Sequence, residues 1–167
     1  MTPTQKLGWI VDLDGCLASD EVRRRASGPG GELQDYVPEY DSRLDWDTYF
    51  KFDLMVDDGV NEHLARAVNI AHGAGVSIVY LTGRPERTRL ATELWLKNAS
   101  LDFHEHLVMR ADDDRTAAQK YKTKKIEMLI NEYNYKFVLG VTDRICDILA
   151  YEHHNIPGLL VRAYEAG

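Results

Sequence analysis

The segment W-I-V-D-L-D-G-C-L at residues 9–17 constrains the chain more than any other. An apolar run over residues 7–11 leads into Asp12, Leu13, Asp14 and Gly15. A short run ended so sharply reads as a buried strand of a parallel sheet, covered on both faces. Residues two apart on a strand point the same way, so Asp12 and Asp14 converge at its end. Gly15 lets the chain turn there without a Cβ penalty. Open α/β sheets hold their ligands at the carboxyl ends of the strands, where these acids fall. A hairpin turn is the competing reading, because Asp and Gly are ordinary turn residues.

The rest of the chain decides between the two. Residues 59–72 carry Leu64, Ala67, Val68 and Ala71 at helical spacing, and Gly73 and Gly75 close that helix. A second buried strand over residues 76–81 stops at Thr82, Gly83, Arg84 and Pro85. Pro85 suits the first turn of a helix running to about Asn98, whose N-terminus is a natural anion site. A short strand is expected over residues 106–109, and a loop at residues 112–115. A helix over residues 120–134 then presents Ile126, Leu129, Ile130 and Tyr133 on one face. The third buried strand, residues 137–141, ends at Thr142, Asp143 and Arg144. A helix through Ile145, Ile148 and Leu149 and a last strand over residues 158–161 complete the chain. Strands alternating with helices give an α/β fold, a Rossmann-like parallel sheet flanked by helices with right-handed crossovers.

Residues 18–58 keep no sustained period. They hold Gly28, Pro29, Gly30, Gly31 and Pro38, then Tyr36, Tyr40, Trp46, Tyr49, Phe50 and Phe52. Long irregular stretches in compact domains are often covers over active sites. A small cap inserted after the first strand is expected here, within a single domain spanning residues 1–167. Its aromatic residues either contact a ligand or tie the excursion to the core.

The net charge of −7 argues against broad electrostatic binding to a nucleic-acid backbone. Two basic clusters, Arg23-Arg24-Arg25 and the lysines between 120 and 125, matter only where they meet the acids. Cys16 and Cys146 are too few for a disulfide framework or a thiolate metal site. No apolar run reaches membrane-spanning length, and M-T-P-T-Q-K lacks a signal-type apolar region. A cytoplasmic setting without membrane association is therefore expected. The segments His104-Glu105-His106 and His153-His154 lack zinc-site spacing, and Asp112 to Asp114 lacks the rest of a calcium loop.

Three buried strands thus end in chemistry: Asp12 with Asp14, Thr82 with Arg84, and Asp143. A parallel sheet brings all three ends to one edge. In this the chain resembles the haloacid dehalogenase (HAD) superfamily of phosphotransferases. D-L-D-G-C is similar to its D-x-D-G-T motif, with Cys16 for the usual Thr, and L-T-G-R to its second motif. A lysine of the basic helix would be the third motif, and V-T-D-R-I-C-D the acidic fourth. A closer resemblance is to the 3′-phosphatase domains of the bacteriophage polynucleotide kinase-phosphatase family. It is carried by T-G-R at 82–84, T-E-L-W-L at 92–96, V-M-R at 108–110, D-D-R at 113–115 and T-D-R at 142–144. That family usually has D-D-R at the last of these, so Thr142 replaces an acid while Asp143 remains. Arg23 falls where the family places a substrate-phosphate arginine.

The resemblance implies a phosphomonoesterase using Mg²⁺, held by Asp12, Asp143 and a backbone carbonyl near Asp14. Asp12 would attack phosphorus and carry a phosphoaspartate, while Asp14 protonates the leaving oxygen and then activates water. Thr82 and neighbouring amides, Gly83 among them, would hold the phosphate, with Arg23 and Arg84 as substrate ligands. Arg84 has a competing reading as the partner of a loop acid. The lysine is expected to be Lys122, which extends the inward face one turn before Ile126; Lys120, Lys124 and Lys125 are the alternatives. The implied substrate is a phosphorylated nucleotide or nucleic-acid 3′ end. A 5′-nucleotidase or other small-metabolite phosphatase is the runner-up, and a catalytically silent binding module the non-enzymatic alternative. No G-x-x-x-x-G-K-[ST] stretch is present, so the kinase half of the bifunctional relatives is missing from these residues. Oligomeric state is not readable from the sequence.

Overall fold

In the computed structural model of the chain, residues 4–28 and 44–163 are described. Of the expected cap, Pro29, Gly30, Gly31, Tyr36, Pro38 and Tyr40 lie outside them. The first apolar run forms β1 (Lys6–Val11), in which Ile10 and Val11 are fully buried on opposite faces. A tight turn leads to the two-residue strand β2 (Ala18–Ser19), and among the described residues three short helices follow: α1 (Glu21–Ser27), α2 (Trp46–Tyr49) and α3 (Phe52–Val56). Strand β3 (Gly59–Val60) brings the chain back by pairing antiparallel with β2. The excursion therefore begins and ends at one two-stranded stem.

From there the chain alternates through α4 (Glu62–Gly73), β4 (Ser77–Pro85), α5 (Arg89–Asn98), β5 (His106–Arg110), α6 (Ala118–Tyr133), β6 (Tyr135–Thr142), α7 (Ile145–His153) and β7 (Gly158–Leu160). The five-stranded sheet has the order β5-β4-β1-β6-β7, with every neighbouring pair parallel. Strand order runs outward from β1 to β5 on one side, then restarts with β6 on the other side of β1. That reversal opens a crevice beyond the carboxyl ends of β1 and β6. Asp12 and Asp143 follow those two ends directly.

Alternation along the strands divides the core between the two faces. Val11, Ile78 and Tyr80 pack with Leu64 and Val68 of α4 and Trp95 and Leu96 of α5. Ile10, Val79 and Leu81 pack with Tyr121, Ile126 and Leu129 of α6 and with Tyr151 of α7. Gly140 in β6 is required by this second layer, since a Cβ there would lie 2.5 Å from the Tyr151 ring. Among the described residues no helix is long and apolar enough to cross a membrane.

Several elements depart from their expected bounds. Gly59 and Val60 belong to the stem strand β3, and α4 begins only after Asn61, whose side chain accepts from the Leu64 N–H at 3.3 Å. Strand β4 continues past Leu81 to Pro85, with an irregular register, because Arg84 is drawn inward and is fully buried. A single 3₁₀ turn at residues 86–88 then precedes α5, which starts at Arg89 and not at Pro85. No helix N-terminus therefore follows Thr82 directly. Tyr133 is 42% exposed and stacks its ring edge-on with His106; Ile145 and Leu149 also face solvent.

Glu105, in the loop before β5, ties together the amino ends of three strands. Its carboxylate accepts from Lys6 Nζ at 2.9 Å, from the Tyr135 hydroxyl at 2.8 Å and from the Ser77 hydroxyl. The Ser77 bond foremost, then Lys6 and Tyr135 against partial burial, pulls this carboxyl from 4.5 down to about 2. A depressed carboxyl stabilises the fold above its ordinary value and loses that contribution as pH falls towards the folded-state value. Its side chain is 39% exposed, so screening limits the effect to about 1 kcal/mol. Glu105→Gln should lower the melting temperature by a few degrees at neutral pH, and the difference from wild type should narrow as pH falls from about 4.5 towards 2. Parallel melting curves at the two extremes would contradict this role.

Candidate active site

Asp12 extends β1 by one bond: its N–H donates to the Val141 carbonyl at 2.9 Å. The chain then turns through Gly15, whose φ of +72° suits glycine, and the Gly15 N–H donates to the Ala18 carbonyl at 2.9 Å. A second reason for glycine is space, since a Cβ at this position would come within 2.3 Å of Asp143 Oδ2. The turn thus brings the backbone of Gly15 against Asp143. Cys16 is fully buried behind it, and burial pushes its thiol well above the ordinary value.

One charged network forms around Lys122. This side chain enters from the amino-terminal half of α6 and is buried, with Nζ 3.0 Å from Asp12 Oδ2 and 2.6 Å from Asp147 Oδ2. Burial alone would neutralise the ammonium, but Asp12 and Asp147 outweigh it and hold Lys122 well above its usual value. The Thr142 hydroxyl lies 2.8 Å from Asp147 Oδ2 and 3.3 Å from Asp12 Oδ2. Asp12 also accepts from the Leu13 N–H at 2.9 Å. Burial raises Asp12 to about 6 against the opposing pull of Lys122. Lys120 and Lys124 are exposed, and Lys125 lies near the Tyr121 ring, so Lys122 is the lysine of this cluster that meets the acids.

A second network surrounds Asp14. Asp14 lies in the turn after β1, which ends at Val11, and its partners are arginines and not Lys122. Its Oδ1 accepts from Arg84 Nε at 2.9 Å and Nη2 at 2.6 Å, and from Arg23 Nη2. Burial would raise its pKa, but Arg23 and Arg84 outweigh burial and hold Asp14 well below the usual carboxylate range. Both arginines also reach Asp58. Arg23 donates through Nε at 2.8 Å and Nη2 at 2.7 Å, and Arg84 through Nη2 at 3.1 Å. Arg84 thus pairs with Asp14 and with Asp58, an acid at the end of the insertion. The Arg23 guanidinium stacks 4.4 Å from the Tyr49 ring centroid, and Arg84 Nη1 donates to Thr92 at 3.2 Å. Thr82 is buried, its hydroxyl accepting from the Arg84 N–H at 3.2 Å, while Gly83 is exposed.

Around Asp143, Lys122 and Arg144 pull the carboxyl down but do not outweigh burial and Asp12. The Asp143 Oδ1 is buried with no hydrogen-bond partner among the described residues. Burial first, and the nearby Asp12 second, push its carboxyl up to about 8. An unsatisfied buried carboxylate oxygen beside a second acid is what a hard divalent cation would complete. Among the described residues, no group of three or more His, Cys, Asp or Glu side chains is arranged to hold a metal. Asp12 and Asp143 offer one or two carboxylates, a set that a hard cation completes with water and phosphate oxygens.

Sequence reasoning gave no role to Asp58 or to the Asp147–Thr142 contact. Asp147 stood in the acidic motif, four residues after Asp143, and that spacing on a helix start was the available signal. Asp58 gave none, since its arginine partners lie 35 and 26 residues away.

A family model described as HAD superfamily, subfamily IIIB (acid phosphatase), matches residues 4–158. Acid phosphatase 1 of Solanum lycopersicum is 26% identical over 157 residues, covering 89% of this chain and 56% of its own length. Among solved structures, the Pnkp1/Rnl/Hen1 complex contains a chain 21% identical, with a TM-score of 0.66 over 95% of this chain and 47% of that one. The class C acid phosphatase from Bacillus anthracis, solved with tungstate bound, is 16% identical with a TM-score of 0.63, covering 87% of this chain and 55% of its own. A predicted phosphatase from Clostridium acetobutylicum, 16% identical, aligns with a TM-score of 0.67 over 93% of this chain and 84% of its own. The chain spans about half the length of the tomato protein and of the repair-complex chain. By the family match over nearly all its residues, the chain belongs to the HAD superfamily, subfamily IIIB, the acid phosphatase family.

Proposed function

We propose that this chain is a Mg²⁺-dependent phosphomonoesterase working through a phosphoaspartate on Asp12. The observation that carries the reading is the contact of Asp12 with Lys122 at 3.0 Å, next to the unsatisfied Asp143, at the crevice where the strand order reverses. Asp12, Asp143 and the backbone carbonyl of Asp14 would hold the ion. When bound, Mg²⁺ supplies positive charge against the phosphate oxygens, which otherwise repel an incoming carboxylate.

Asp12 attacks phosphorus, the bond to the leaving oxygen breaks, and Asp14 gives that oxygen its proton. Water then attacks phosphorus with Asp14 as base, releasing phosphate and restoring Asp12. Lys122 offsets the negative charge gathered around Asp12 during both steps, and Thr82 and the Gly83 backbone hold phosphate oxygens. Asp14 needs a proton to act as acid, yet Arg23 and Arg84 hold it ionised in the arrangement described here. A phosphate dianion competes for those same guanidiniums, and as they turn to it the carboxyl of Asp14 rises towards a donor's range.

For the substrate we favour a 3′-phosphate on a nucleotide or a short strand. Arg23 and Arg84 supply a paired anion grip, and Trp46, Tyr49 and Phe50 cluster beside it, Trp46 and Phe50 stacked at 5.7 Å. Arg87 lies 5.7 Å from the Phe50 ring centroid, so a base has an aromatic and cationic surface to stack on. The acid phosphatase family match favours a second reading, a 5′-nucleotidase or other small-metabolite phosphatase. Two buried charge networks built around Asp12 and Asp14 argue against a silent binding module. A cytoplasmic setting agrees with the scarcity of cysteine.

Phosphate release, with and without Mg²⁺, should be measured from a dinucleotide 3′-phosphate, a long 3′-phosphorylated strand, a 5′-nucleotide and a sugar phosphate. The dinucleotide should be cleaved best and only with Mg²⁺, and Asp12→Asn should abolish turnover while leaving the fold intact. Preference for the 5′-nucleotide would replace the 3′ reading, and near-normal turnover by Asp12→Asn would remove Asp12 as nucleophile. Asp14→Asn should slow a ribose ester by roughly 10²–10⁴-fold, the usual worth of a general acid. It should slow an aryl phosphate much less, because that leaving group departs without a proton. Equal losses on the two substrates, with chemistry limiting, would contradict the role of Asp14.

A further inference from the structure

We propose that Asp58 is a positioning residue for the reaction, holding Arg23 so that its guanidinium presents a fixed face to the substrate phosphate. This rests on the phosphomonoesterase reading above. Asp58 lies where the chain returns from the insertion, between α3 and β3, and its side chain is fully buried. Its backbone is pinned to the core by the Trp95 indole, which donates to the Asp58 carbonyl at 2.8 Å.

The two acids hold Arg23 unequally. Asp58 takes Nε and Nη2 as a fork, Nε to Oδ1 at 2.8 Å and Nη2 to Oδ2 at 2.7 Å, whereas Asp14 shares only Nη2, through that nitrogen's second proton. The Tyr49 carbonyl accepts from Nη1 at 3.3 Å and completes the hold. A phosphate that displaces Asp14 therefore leaves the fork intact. Two arginines side by side in a buried site need more than one counter-charge. With Asp58 gone, Asp14 would be their sole acid partner, and Arg23 would lose the contact that sets its plane. Arg84 depends on Asp58 less, since Asp14 and Thr92 hold it separately.

The geometry makes Asp58 act through Arg23, and non-additivity tests that. Asp58→Asn keeps the shape but loses the charged fork. It should raise the Michaelis constant for the favoured ester, and the dissociation constant of inorganic phosphate measured by calorimetry, by about ten-fold. Arg23→Gln should raise both at least as far, and adding Asp58→Asn to Arg23→Gln should change neither further. The double variant carries no unpaired buried charge at this pair, so it decides the question even where Asp58→Asn alone does not fold. A wild-type or lower Michaelis constant in Asp58→Asn overturns the assignment. So does a further loss in the double variant beyond Arg23→Gln, because Asp58 would then act elsewhere. A purely structural Asp58 would lower the melting temperature and leave phosphate affinity unchanged. If the wild-type chain cleaves no monoester, the enzymatic reading fails, and phosphate affinity across the same variants still separates the two roles of Asp58.

Discussion

The buried contact between Lys122 and Asp12 is the interaction on which the site depends. Carboxylates leave water only when something replaces their hydration, and an unpaired one costs several kcal/mol, of order 3–5. Lys122 gives Asp12 and Asp147 a shared counter-charge, which keeps both near the end of β1 and β6. On the far side of the same turn, Arg23 and Arg84 do this for Asp14 and Asp58. Asp12 and Asp14 are two residues apart, yet each belongs to its own network. Their environments push them in opposite directions, Asp12 upward through burial and Asp14 downward through its arginines. The proposed roles need the opposite order, an ionised nucleophile and a protonated acid, so they require that substrate phosphate draw the arginines away from Asp14.

Thr142 fits this charge pattern. The resemblance to the bacteriophage phosphatases places an acid there, but the position is fully buried between Asp12 and Asp147. A third carboxylate would share the single Lys122 ammonium. The hydroxyl supplies a donor to Asp147 instead, orienting the acid that holds the lysine. Asp143, like Asp20 near it, keeps a buried carboxylate oxygen with no partner among the described residues.

The parallel sheet was legible because each of its inner strands is an apolar run closed by polar residues, which is how a strand covered on both faces must read. Lys122 was legible for a similar reason: it lies one helical turn before Ile126, on the side of α6 that faces the sheet. Local pattern failed where a distant charge took over. Thr82 to Pro85 look like a strand end and a helix start, yet the chain stays extended there because Arg84 reaches Asp14 and Asp58. Asp58 carried no sign at all, because nothing near it in the chain reveals that Arg23 returns to it. Tyr133 misled in the other direction, since a helical period marks a face without saying that the whole face is covered.

The central claim is that Asp12 forms a covalent bond to phosphorus. Wild-type protein should be mixed with Mg²⁺ and an activated aryl phosphate, quenched in acid within the first turnover and digested for mass spectrometry. The peptide containing Asp12 should carry one added phosphoryl group that chases away during turnover and is missing from Asp12→Asn. Full turnover with no phosphoryl adduct at any time point, under conditions where the second step limits the rate, would contradict the account.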